Sequence, residues 1–196
     1  MKKVLLIAAI AVCSLKVSAQ TEQGNIVVGG SVNFSSDKSD ADGAEATQRF
    51  EILPMAGYFV KDNLAIGTGI GFISQKDADD SKENAFVLAP FGRYYKSISE
   101  QFKFFGQLAV PMAFGSAKDE DGDKLGTSTS IGVSLSPGFA FFPTKKFGIE
   151  LAFDGISYNN TTRKDDDGNK LEGFGGDSFS IGADFFSPQI GLLFYF

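Results

Sequence analysis

The stretch Phe147-Gly-Ile149-Glu-Leu151-Ala-Phe153-Asp154 puts a large apolar side chain at every odd position and a small or charged one at every even position. A period of two belongs to a β-strand, whose successive side chains point to opposite faces of a sheet, and not to a helix with its period of 3.6. The pattern recurs in Ile66, Thr68, Ile70 and Phe72 interleaved with Gly67, Gly69 and Gly71, and in Ile131, Val133 and Leu135 interleaved with Gly132, Ser134 and Ser136. One face is bulky and apolar while the other is lean. A soluble barrel turns its bulky face inward and shows water a polar one. A face of Gly, Ala and Ser instead fits a narrow interior, so the bulky face is expected to meet lipid.

Outward from that stretch, eight such segments run approximately Gly24–Ser35, Arg49–Val60, Leu64–Ser74, Ala85–Lys96, Phe102–Gly115, Ser128–Phe142, Phe147–Tyr158 and Ser178–Phe196. Each is long enough for a tilted membrane strand, which needs ~9–11 residues. The connectors alternate in length. Long polar ones lie at Ser36–Gln48, Gln75–Asn84, Ser116–Thr127 and Asn159–Asp177, and short ones at Lys61–Asn63, Ser97–Gln101 and Pro143–Lys146. The four long connectors hold 17 of the 24 acidic residues against 8 basic ones, so the negative charge gathers at one rim. Short turns at one end and long loops at the other are what an outer-membrane barrel shows, with turns to the periplasm and loops to the outside.

The first residues, MKKVLLIAAIAVCSLKVSAQ, have the parts of a secretory signal: Lys2 and Lys3, an apolar run from Val4 to Val12, and small residues Ser18 and Ala19. Residues 1–19 are therefore expected to be a signal peptide and 20–196 one barrel domain. No segment is apolar for the roughly 20 residues that a membrane-spanning helix requires. The single cysteine, Cys13, falls inside the signal without the small preceding residue of a lipoprotein site, and the chain has no histidine. Loss of Lys2, Lys3 and Lys16 with the signal lowers the net charge from -6 to -9, which argues against nucleic acid as a partner.

Taken together these features resemble the small outer-membrane β-barrels of OmpA/OmpX type in Gram-negative bacteria, over Gln20 to Phe196. The resemblance implies an all-β fold, an eight-stranded antiparallel up-and-down transmembrane barrel, located in the outer membrane after export. It also implies that Phe194, Tyr195 and Phe196, in the last alternating strand, act as the signal read by barrel-assembly machinery. Outer-membrane lipid is then the main partner. Family membership says little about activity, because related barrels differ widely in role.

Candidate chemistry has to come from individual residues. The alternation puts Glu51, Arg93, Lys103, Gln107, Glu150, Asp154 and Asp184 on the lean face. Glu51, Arg93, Glu150 and Asp154 are expected to form an interior ion-pair network with Arg93 as hub. The catalytic alternative makes Glu51 and Glu150 an acid/base pair, but an eight-stranded interior has room only for side chains. Without histidine the usual nucleophile and base are missing, so no enzyme and no cofactor are expected.

Two loop motifs, Asp119-Glu-Asp121-Gly-Asp123 and Asp165-Asp-Asp167-Gly-Asn169, cluster the oxygen donors that a divalent cation favours, without the spacing of an EF-hand. The competing reading is a pair of hairpin-tip turns. Phe102, Phe104, Phe105, Tyr94, Tyr95, Phe141, Phe142, Phe194, Tyr195 and Phe196 lie at one level and read as an interfacial aromatic girdle. Proline has no N–H for a ladder, so bulges are expected at Pro54, Pro90, Pro137 and Pro188. The functional expectation is a non-enzymatic outer-membrane protein whose acidic loops meet a surface ligand or divalent cations. A narrow channel and a soluble, secreted lipid-binding barrel are the alternatives.

Overall fold

A computed structural model describes residues 20–38, 45–78, 80–182 and 189–196. Its strands are β1 (Ile26–Lys38), β2 (Ala46–Lys61), β3 (Leu64–Lys76), β4 (Lys82–Ser97), β5 (Phe102–Ala109), β6 (Met112–Lys118), β7 (Lys124–Thr144), β8 (Phe147–Ala152), β9 (Ile156–Lys164), β10 (Gly176–Ile181) and β11 (Gln189–Tyr195). They make eight staves. β5 and β6 share one, broken at Val110-Pro111; β8 and β9 share the next but one; β10 and β11 share the last. Every pairing is antiparallel between staves adjacent in the chain, and β1 with β11 closes the ring, from Val27↔Tyr195 to Gly30↔Leu192.

The bulky face is outside. Ile66, Ile70, Phe72, Ile131, Val133 and Leu135 are all exposed, each about half open to the surroundings. A belt of this kind around a whole barrel cannot rest in water and marks a lipid-facing surface. The soluble carrier, which needs the opposite arrangement, is thereby overturned. No helix among the described residues is long and apolar enough to cross a membrane; the crossing elements are strands.

Short turns are tight. Asp62-Asn63 links β2 to β3, with Asn63 at φ 64°, the left-handed conformation that Asn tolerates. At the other rim the strands run further than the composition suggested. β9 continues through Asn159–Lys164, pairing Lys164 with Thr127, and β4 begins at Lys82, opposite Lys118. Backbone pairing continues there because Ser, Thr and Asn are acceptable strand residues wherever a neighbour supplies the ladder.

The prolines behave differently from expectation. Pro54 faces Gly30 and Pro90 faces Thr68 in unbroken register, so neither makes a bulge; at Pro54 the pairing to β3 lapses for two residues and resumes unshifted. A one-residue shift does lie beside Pro137, on the neighbouring stave, where three residues, Phe153 to Gly155, sit opposite two, Ser136 and Pro137. Pro188 lies outside the described residues, as does Asp184.

Glycine at 138 is required by packing: a Cβ there would stand 2.2 Å from Phe105 Cζ and 2.6 Å from the Leu151 carbonyl oxygen. Gly138→Ala is expected to destabilise the barrel by about 1–3 kcal/mol through overpacking, measured as a lower urea midpoint for the detergent-folded protein.

Candidate functional site: the barrel lumen and its rim

The lumen is filled at the short-turn end. Val27, Phe59, Ala65, Tyr95, Phe105, Ala140, Phe142, Leu193 and Tyr195 form one buried cluster drawn from seven strands. The rings pack tilted or edge to face. Phe59 and Tyr95 have centroids 5.9 Å apart, Tyr95 and Phe105 5.7 Å, and Phe142 and Tyr195 5.3 Å. Such offset geometries suit the ring quadrupoles. Of the ten aromatics assigned to the girdle, Tyr95, Phe105, Phe142 and Tyr195 therefore point inward. Tyr94, Phe102, Phe104 and Phe194 do face outward, and Phe102 stacks on Phe141 at 4.7 Å. The cause is the pleat: Tyr94 and Tyr95 are neighbours in sequence and lie on opposite faces.

Beside this cluster lies a buried ion pair. Arg93 Nη1 donates to Glu150 Oε2 at 2.6 Å and to the Tyr95 hydroxyl at 3.0 Å, while Arg93 Nε donates to Gln107 Oε1 at 2.8 Å. Glu150 Oε1 accepts from the Tyr95 hydroxyl at 2.9 Å and from the Tyr195 hydroxyl at 3.3 Å. The guanidinium also lies over the Phe105 ring at 4.5 Å. β4, β5, β8 and β11 are thus tied across the lumen by charge-assisted hydrogen bonds. Below it, Lys103 Nζ reaches Asn63 Oδ1 at 3.0 Å and also Thr21 Oγ1. The segment before β1 folds under the barrel end: the Asn63 amide donates to the Thr21 carbonyl and the Gly24 amide to that of Phe59.

Two expected members of the network are elsewhere. Glu51 faces the lumen but pairs with Arg49 at 3.2 Å, and Arg49 also donates to Gln75 Oε1; Arg93 is not its partner. The reason is register, since Glu51 opposes Ile73 and Asn33 near the long-loop end, several residues above the level of Met55 and Arg93. Asp154 is exposed and makes no ion pair among the described residues. It sits in the shift beside Pro137, where the alternation changes phase. Leu151 faces out at an odd position, Phe153 is buried, and Ile156 and Tyr158 face out at even ones. The large apolar residues at 156 and 158 were the available signal of that change.

Sequence reasoning missed a third ion pair, Arg163 with Glu83 at 3.3 Å, in which Ser128 Oγ also donates to Glu83 at 2.8 Å. Both residues lie in polar connectors by sequence, although Glu83 continues the inward parity of Ala85 and Val87. Above them a cavity of about 240 Å³ opens at the rim, bounded by Lys82, Glu83, Arg163, Leu171 and Phe174.

The acidic motifs are turns of one design. The Asp123 amide donates to Asp119 Oδ1 at 2.8 Å and the Asn169 amide to Asp165 Oδ1 at 2.7 Å, with Gly122 and Gly168 at positive φ. Each leading carboxylate thereby closes its own turn. Asp121 and Asp167 stand at the tips, and no three metal-ligating side chains converge among the described residues.

Comparison with known proteins fits this geometry. The model of the family described as outer membrane protein beta-barrel domain matches residues 5–185. The chain belongs to that family, and is an outer-membrane β-barrel protein. Among solved structures it is similar to that of Neisserial surface protein A (NspA), with a TM-score of 0.54 and 14% sequence identity over 89% of this chain and 98% of that one, a likeness of fold. No curated protein matches the chain.

Replacing Glu150 by Leu leaves Arg93 buried and uncompensated, and is expected to cost about 3–5 kcal/mol. The double variant Arg93→Met/Glu150→Leu is expected to recover most of that loss, measured by urea unfolding as a double-mutant cycle. Asp154→Asn is expected to leave the midpoint unchanged.

Proposed function

We propose that the protein works at the cell surface of a Gram-negative bacterium, as a sealed and non-enzymatic barrel holding acidic extracellular loops toward a ligand or partner surface. The observation that carries this reading is the aromatic and ion-pair layer filling the lumen at the short-turn end, opposite the rim where the acidic residues collect. A filled lumen removes the support for a narrow channel. It also accounts for Glu150 as a structural carboxylate, bound to an arginine and two tyrosines, and not as a general base.

In this reading residues 1–19 direct export, and Phe194, Tyr195 and Phe196 present the strand that assembly machinery engages, with Phe194 outward and Tyr195 inward. The loop tips offer Asp121, Asp167 and neighbouring carboxylates to the outside, so divalent cations, lipopolysaccharide bridged by them, or a basic partner surface are the fitting ligands.

Cell fractionation is expected to place the protein in the outer membrane, with gel mobility that differs between unheated and boiled detergent samples. Planar bilayers containing the purified barrel are expected to show no conductance above background; discrete openings would return the channel reading. Replacing residues 119–123 and 165–169 by two-residue turns is expected to reduce surface adhesion or envelope integrity without changing heat-modifiability, and unchanged phenotypes would remove the loop role.

A further inference from the structure

The ladder between β1 and β11 stops short of the residues available to it. Continued in the register of Gly30↔Leu192, it would set Ser31, Val32 and Asn33 opposite Gly191, Ile190 and Gln189, and none of these pairs forms. β11 nevertheless keeps its ladder with β8 from Gln189↔Ala152 onward, and β1 keeps its ladder with β2 up to Lys38↔Ala46. The two strands therefore part above Gly30. That glycine has φ 150°, and a Cβ on it would lie 2.5 Å from the Leu53 carbonyl oxygen, so the bend admits no side chain.

Among the described residues nothing pairs across this gap, and a stretch of sheet edge left unpaired at membrane depth is costly unless something satisfies its backbone groups. The outer margins here are apolar: Val32 and Ile190 are 67% and 65% exposed. Behind them lies a cavity of about 120 Å³ bounded by Leu53, Met55, Leu193, Arg93 and Glu150. Arg93 is 6% exposed, and its Nε and Nη1 are occupied by Gln107, Tyr95 and Glu150. Among the described residues its Nη2 reaches only the weak acceptor Met55 Sδ, at 4.0 Å.

We propose that this opening and the cavity behind it bind an acyl lipid from the bilayer, with Arg93 Nη2 donating to an ester or amide carbonyl of the lipid. The apolar margins admit a ligand from the lipid side. Arg93 Nη2, held only by the weak acceptor Met55 Sδ, has donor capacity left for a stronger one, and Glu150, which already neutralises Arg93, selects a neutral carbonyl over an anionic headgroup. The cavity holds the space of about four water molecules at ~30 Å³ each, enough for a carbonyl and the start of a chain. The remainder of the lipid lies against Val32, Phe34 and Ile190.

The proposal rests on the inserted-barrel reading, and the test separates the two. The barrel is reconstituted in vesicles of palmitoyl-oleoyl phosphatidylethanolamine or of its dialkyl ether analogue, released into detergent, and weighed by native mass spectrometry. Heat-modifiability is followed on the same samples. The wild type is expected to retain one ester lipid per barrel and about tenfold less of the ether analogue. Gly191→Phe is expected to lower ester-lipid retention about tenfold, because an inward side chain there has room to fill the cavity: a Cβ meets only Glu150 Cβ, at 3.8 Å. A barrel that shifts normally on heating yet retains no lipid, or retains ester and ether lipid equally, overturns the site and leaves the inserted barrel standing. So does a Gly191→Phe barrel that shifts normally and keeps its lipid. A wild type that shows no heat shift overturns the barrel reading and the site with it.

Discussion

A chain that crosses hydrocarbon as strands must pair its own backbone, because the bilayer core offers no water to do so. Here the pairing runs from each stave to the next and back from β11 to β1, and the rest of the molecule follows from that ring. Closure gives every residue an inside or an outside. It also explains how prolines are accommodated: Pro54 and Pro90 keep register with a partner on one side, while the shift beside Pro137 is absorbed by the residues between β8 and β9.

A ring of eight staves encloses a space that side chains alone can fill. This chain fills it unevenly. Large rings crowd the short-turn end, glycine, alanine and serine predominate along much of the remaining wall, and polar groups bridge it. Burying Arg93 and Glu150 carries a desolvation cost that a single contact does not offset. Gln107, Tyr95 and Tyr195 supply the additional hydrogen bonds that make the pair tolerable, and each comes from a different stave or from a different level of the same one. The pair thereby helps fix how the staves sit against one another.

Most of the fold was legible because the alternation of bulky and lean residues is strong, and because two kinds of connector separate the segments. The lumen was legible only in part. Arg93 and Glu150 could be placed on the inner face by parity alone. Glu51 was placed on the same face, but parity carries no height, and the partner within reach turned out to be Arg49. Asp154 was misplaced because one extra residue between β8 and β9 reverses the phase, and Tyr95 and Tyr195 because runs of aromatics were read as one surface. Glu83 and Arg163 were hidden by their polar surroundings, where continued pairing was not expected.

The sequence by itself determined the strands, their lean and bulky faces, the lipid-facing exterior and the concentration of acidic residues at one rim, since these depend on period and composition along single segments. Tertiary structure alone decided which inward groups meet: the Arg93–Glu150 pair, the aromatic layer beside it, the Glu83–Arg163 bridge, and the parting of β1 from β11 above Gly30. The two ion pairs join residues 57 and 80 positions apart, and β1 meets β11 between residues about 160–170 apart, at heights set by register around a closed ring; no pattern within one strand encodes its register with a strand that far away.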